Sequence, residues 1–342
     1  MGYYSRFMGC VLGGAIGDAL GRPVEFTPLA RIRDTYGPDG LRDMVSPEIT
    51  DDTQMTLFTA EGLIRARLHG VDPVTAVHDA YLRWLDTQQF AAPPAADEAV
   101  RNGWLRQEAW LYARRAPGTA CLSGLFAAGR RVDVPAPGAI GEINALSKGC
   151  GSVMRSAPFG LSVFDPFETA GRCSYLTHGH PTASLSAGAF ASIIHDLVRG
   201  DSLKRAVRRA LDRLAGCPGH EETAGALRAA VHLAADSRRP TAEKVESLGA
   251  GWVAEEALAI AVYCALAEPD PREALLLAVN HSGDSDSTGA VCGNILGARH
   301  GLRALPADWL DAVEGRSTIV ELTFDLMADP SLPNNWTDRY PS

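Results

Sequence analysis

The chain has 342 residues, 46% of them hydrophobic, enough to bury a large core. Its net charge of −9, with 41 acidic residues, argues against a nucleic-acid groove or an anionic membrane surface, although bound cations can reverse the sign locally for an anionic substrate. Seven scattered cysteines without C-x-x-C spacing read as small buried hydrophobes in a reducing, cytoplasmic setting, not as a disulfide frame or a zinc site.

Along the chain, residues 7–17 are apolar and follow Arg6, in the manner of a secretory signal. Asp18 interrupts the run, and glycines recur through it at a fixed interval, so it is read as a helix of the folded protein. No apolar run approaches the length of a membrane span. Gly9, Gly13, Gly17 and Gly21 stand four residues apart, on one helix face. Glycine destabilises a helix by about 0.8–1 kcal/mol per position relative to alanine. Close approach of a second backbone is the expected compensation: this stripe and a second one, Gly289, Gly293, Gly297 and Gly301, are expected to pack on each other or each on another ligand-bearing helix.

Thr50-Asp51-Asp52-Thr53 comes next, followed by Met55, Leu57, Phe58, Leu63 and Ile64. A threonine and two acids suit an N-cap and first turn, where carboxylates also oppose the helix dipole. Apolar spacings of three and four predict helices over 53–68, 74–85, 183–198, 203–214, 222–235 and 255–267. Strand-like alternation is hardly present. Proline and glycine mark loops at 91–96, 132–141, 217–219 and 237–241, none long enough to separate domains. The expectation is one all-α domain over residues 1–342.

Between these helices lie two further clusters. Lys148-Gly149-Cys150-Gly151-Ser152-Val153-Met154-Arg155 can expose N–H groups to phosphate oxygens, or can be a tight turn before a core helix. Thr177-His178-Gly179-His180-Pro181 places two histidines before a proline, where they can bind a metal, contact a ligand or cap a loop. Gly283-Asp284-Ser285-Asp286-Ser287-Thr288-Gly289 then repeats the hydroxyl-plus-two-acids pattern at the start of the second glycine-striped helix. Two such starts, more than 230 residues apart, suggest one shared site. Hard oxygen donors without cysteine select magnesium, manganese or calcium over zinc. The twelve-residue EF-hand pattern is missing.

Together these clusters resemble the ADP-ribosylglycohydrolase family. The resemblance runs from Gly13-Gly14-Ala15-Ile16-Gly17-Asp18-Ala19-Leu20-Gly21, Pro23 and Glu25, through Thr50-Asp51-Asp52-Thr53, the Gly149 loop and the His178 segment, to Gly283-Asp284-Ser285-Asp286-Ser287. It implies an orthogonal all-α bundle with two divalent cations, Mg2+ or Mn2+, at the bottom of a cleft. By that resemblance Thr50, Asp51, Asp52, Asp284, Asp286 and Ser287 are metal ligands, Glu25 gates the site or activates water, and the catalytic base is one of Glu25, Asp52 and Asp284, with the choice among them open. Gly149, Gly151 and Ser152 bind the diphosphate, and His178 contacts substrate. Many members have threonine where this chain has Ser287; serine keeps the coordinating oxygen. The implied reaction is hydrolysis of the bond joining ADP-ribose to a modified protein or small molecule, arginine being one candidate acceptor. A two-metal phosphoester or pyrophosphate hydrolase and a non-catalytic ADP-ribose-binding relative are the alternatives. His180 is expected to be structural.

Overall fold

The computed structural model describes residues 2–97, 99–127, 133–236, 239–329, 331 and 335–342. These form seventeen α-helices and no β-strand, with an isolated bridge between Gly149 and Val253. The expected helices are present as Asp51–His69, Pro73–Gln89, Pro181–Val198, Leu203–Leu214, Glu221–Ala234 and Ala254–Ala267. Of the expected loops, Val132, Ser237 and Arg238 lie outside the described residues. Several further helices were not anticipated, among them Pro166–Ser174 and Pro271–Val279. Each of these two starts with a signal that apolar spacing misses: Asp165 and Asp270 accept backbone N–H bonds as N-caps, and proline follows at the first helical position.

The two glycine-striped segments form the centre of the bundle. Tyr3–Gly21 is buried from Phe7 onward, and Ser285–His300 is buried through Ala298. A helix apolar all round belongs in a core, and these two run antiparallel in direct backbone contact. A Cβ placed on Gly17 would lie 1.9 Å from the Gly289 carbonyl oxygen, one on Gly293 1.9 Å from that of Gly13, and one on Gly297 1.9 Å from that of Gly9. No side chain fits such a gap. Gly301 departs from the expected stripe: it ends the helix as its C-cap, with φ of 74°, a conformation that glycine adopts without penalty.

This register decides what meets at the ends. The pairing Gly9–Gly297, Gly13–Gly293, Gly17–Gly289 continues to Gly21, whose Cβ would lie 2.2 Å from the Ser285 carbonyl oxygen. The C-terminal end of the first helix therefore sits on the N-terminal end of the other. Whatever follows Gly21 is delivered beside whatever precedes Ser285. The Asp51–His69 helix, buried from Asp51 to Ala66, is seated against the same pair. A buried ion cluster ties it to its neighbour, with Glu61 accepting from Arg65 at 3.0 Å and Arg83 at 2.9 Å.

Candidate functional site

Past Gly21 the chain makes one 3-10 turn, Arg22–Val24, started by Pro23, and reaches Glu25. Phe26 then adopts φ of 55° and donates its N–H to the Gly283 carbonyl at 2.9 Å. That bond fixes Glu25 beside the start of the Ser285–His300 helix. One oxygen each of Glu25, Asp284 and Asp286 lies within 4.8 Å of the others. Asp284 is the N-cap, accepting from Ser287 N–H at 3.3 Å, and Asp286 accepts from the same N–H at 2.9 Å. The Asp284 N–H donates to the Ala250 carbonyl at 2.8 Å.

The other helix start is organised by Asp18, a residue to which the sequence reading assigned no role. Asp18 is fully buried on the Tyr3–Gly21 helix. It accepts the Thr50 and Thr53 N–H groups at 3.0 Å and the Thr53 hydroxyl at 2.5 Å. Thr50 is the N-cap, its Oγ1 accepting from Asp52 N–H at 3.3 Å. Asp51 is held from outside by the segment that follows residue 112, donating its N–H to the Arg115 carbonyl and accepting from Gly118 N–H, both at 3.3 Å. Asp51 and Asp52 stand outside the close triplet, but Ser287 lies near enough to Asp52 to favour its charged form, and so the two starts adjoin.

This assembly concentrates negative charge out of water. Burial, then the neighbouring acids, pushes the carboxyls of Asp51, Asp52 and Asp286 well above the usual range. Glu25 is raised to about 8, first by burial, then by Asp284 and Asp18. Asp18 rises only to about 6, because its four hydrogen bonds oppose burial. Oδ2 of Asp52 is buried with no hydrogen-bond partner. Buried carboxylates must be protonated or opposed by cations. An all-oxygen donor set with an orphaned acceptor suits a hard divalent cation.

Beside the carboxylates lies the Gly149 loop. Cys150 donates its N–H to the Trp252 carbonyl at 3.0 Å and its thiol to Asp284 Oδ2 at 3.0 Å. The thiol was not foreseen as part of the site; burial, then Asp284, raises it and keeps it protonated. The N–H groups of Gly149 and Gly151 have no backbone acceptor among the described residues. Ser152 differs from expectation: its hydroxyl is turned inward to the Gly149 carbonyl at 3.1 Å, so it braces the turn. His178 sits behind the loop, with Nε2 3.1 Å from where a Cβ on Gly149 would be. Its Nδ1 meets the Thr177 hydroxyl at 2.7 Å, and Arg155 donates to that hydroxyl at 2.6 Å. Burial and then Arg155 push His178 down to about 3, so it is neutral, and the Thr177 contact directs its Nε2 toward the loop. His180 caps the Pro181–Val198 helix by accepting Thr182 N–H at 3.1 Å, a structural task.

Two rim features carry no sequence signal. Phe26 stacks on Trp252 with centroids 4.7 Å apart and an interplanar angle of 15°, both rings about half exposed. A cavity of about 520 Å³ is lined by Glu25 together with Arg22, Arg114, Arg115 and Thr50.

Comparison with known proteins agrees with this architecture. The family model described as ADP-ribosylglycohydrolase matches residues 1–335. The chain is 24% identical to the ADP-ribosyl-[dinitrogen reductase] glycohydrolase of Rhodospirillum rubrum, over 91% of each chain. It is 24% identical to the ADP-ribosylarginine hydrolase Tri1 of Pseudomonas putida, over 94% of this chain and 77% of the other. A solved ADP-ribosylglycohydrolase-related protein complex superposes with a TM-score of 0.68 at 26% identity, covering 95% of this chain and 98% of the other.

Proposed function

The chain belongs to the ADP-ribosylglycohydrolase family, hydrolases of the glycosidic bond of ADP-ribose, and from that premise we propose a metal-dependent enzyme that frees ADP-ribose from a modified protein. The observation that supports this reading is the close triplet of Glu25, Asp284 and Asp286, with Asp52 near enough for its charge to act on Asp284 and Asp286. Thr50, Asp51, Asp52, Asp284, Asp286 and Ser287 would hold two divalent cations, Mg2+ or Mn2+. Such ions supply positive charge against ribose hydroxyls and acidify water at the reacting carbon.

The chain's own groups then have separate tasks. Glu25, half-buried beside Asp284 and Asp286, accepts the proton of the water that attacks the anomeric carbon. Asp52 and Asp284 oppose the charge of an oxocarbenium-like transition state. The N–H groups of Gly149 and Gly151, without a backbone acceptor among the described residues, bind diphosphate oxygens, with Ser152 bracing their turn. Neutral His178 donates Nε2–H to a substrate oxygen. Arginine is the acceptor to test first, since a relative's name carries it. Seven unpaired cysteines favour a reducing, cytoplasmic setting, and no helix of the described residues is long and apolar enough to cross a membrane.

The test is product identity. Incubation with arginine-ADP-ribosylated protein and Mg2+ should release intact ADP-ribose. AMP would indicate pyrophosphate cleavage, and absence of turnover on arginine-, serine- and small-molecule-linked substrates would indicate a binding protein. Full activity in EDTA would overturn the metal-dependent mechanism.

A further inference from the structure

The cavity of about 520 Å³ is lined by Glu25 and Thr50, which the mechanism above uses, and by Arg22, Arg114 and Arg115, which it does not. Its volume falls within the range of about 300–1,000 Å³ typical of ligand sites. Three guanidinium groups line it, and their charges do not balance alike. Arg115 is paired with Glu314 and also donates to the Ile49 carbonyl at 2.9 Å. Arg22 is paired with Glu48 at 2.6 Å through Nη1, which also serves Ser46, so its Nε and Nη2 hydrogens have no protein partner among the described residues. Arg114 is exposed and makes no ion pair or hydrogen bond with any described residue. Ala116, in the same wall, holds φ of 51°, a bend that lets the segment cross the start of the Asp51–His69 helix. Arg114 is therefore a guanidinium without an ion-pair partner among the described residues, and together with the spare donors of Arg22 it lines a cavity that the Glu25 carboxyl also lines.

None of residues 148–154 lines this cavity. If the diphosphate lies on the Gly149 loop, the cavity is left for what is attached to the other side of the scissile bond. We propose that it is an acceptor subsite for a carboxylate side chain next to the modified residue of the substrate polypeptide, a proposal that rests on the reading under Proposed function. A polyanion such as nucleic acid is disfavoured, because the chain's net charge of −9 repels it beyond this one cationic spot.

The experiment uses the full chain and two peptide sets, each with one arginine flanked by glutamate, serine or lysine. Unmodified peptides report binding by fluorescence anisotropy; ADP-ribosylated ones report kcat/KM. Wild type should prefer glutamate over lysine flanks by about fivefold, the scale of an exposed ion pair, and the preference should shrink with added salt. Arg114→Glu should reverse the order in both assays. Identical ranking in wild type and R114E overturns the subsite, as does tighter binding of a single-stranded oligonucleotide that R114E abolishes. A binding preference that reverses without any turnover would sustain the subsite and sink the enzymatic reading. Turnover without flank preference would do the opposite.

Discussion

The two helix starts of the candidate site look alike in sequence and are held by different means. The start at Asp51 is seated by side-chain chemistry: Asp18 gathers Thr50 and Thr53 through hydrogen bonds of 2.5–3.0 Å. The start at Ser285 is seated by backbone contact, where Gly21 and the glycines behind it allow no side chain between two helices. Hydrogen bonding to a buried carboxylate depends on a single acceptor group. A packed glycine stripe spreads the same positional accuracy over several turns. The first start is therefore sensitive to one proton or one atom, the second to added volume.

If both starts serve one metal centre, neutralising either should have the largest effect. Asp286→Asn keeps shape but removes a charged donor, and activity should fall by more than about 100-fold, beyond the loss typical of an outer-shell change. Mg2+ or Mn2+ should raise the unfolding midpoint of wild type more than that of the variant. The same is expected of Asp52→Asn; equal metal-induced shifts in wild type and both variants would separate these residues from any ion.

Asp18→Asn probes the first start alone. The amide cannot accept as the carboxylate does, so Thr50 and Thr53 lose their anchor. Metal affinity should drop by about 10–100-fold, with the Gly17–Gly289 contact untouched. Unchanged metal titration in calorimetry would reduce Asp18 to a purely structural group. Gly293→Leu probes the second start. Overpacking against the Gly13 carbonyl should destabilise the fold by roughly 1–3 kcal/mol or more in denaturant unfolding, and unchanged stability would make the stripe incidental.

The smallest expected effect is on pH dependence without metal. Glu25, Asp18, Asp51, Asp52 and Asp286 hold protons more tightly folded than unfolded. Their contribution is therefore fully present below the ordinary carboxylate range and is lost as pH rises through about 6 for Asp18 and about 8 for Glu25. In EDTA the unfolding midpoint should fall by a few degrees between about pH 5 and about pH 9, and divalent cation should flatten that slope. A midpoint that rises with pH in EDTA would contradict the uncompensated cluster.

Much of this was open to reading along the chain. Helix formation is local, so apolar spacing located six long helices to within a few residues, and the acids after Thr50 and around Ser285 marked two helix starts. The four-residue glycine spacing even identified two surfaces that need a backbone neighbour. What it did not contain was the antiparallel register that ends at Gly21 and Ser285. Nor did it single out Asp18, Cys150, the Phe26–Trp252 stack or the arginine-walled cavity. Each of these depends on atoms far apart along the chain or on the direction a side chain takes. A local pattern states what a segment can do; only three-dimensional packing chooses its partner, because the partner's distance along the chain leaves no trace in the spacing of neighbours.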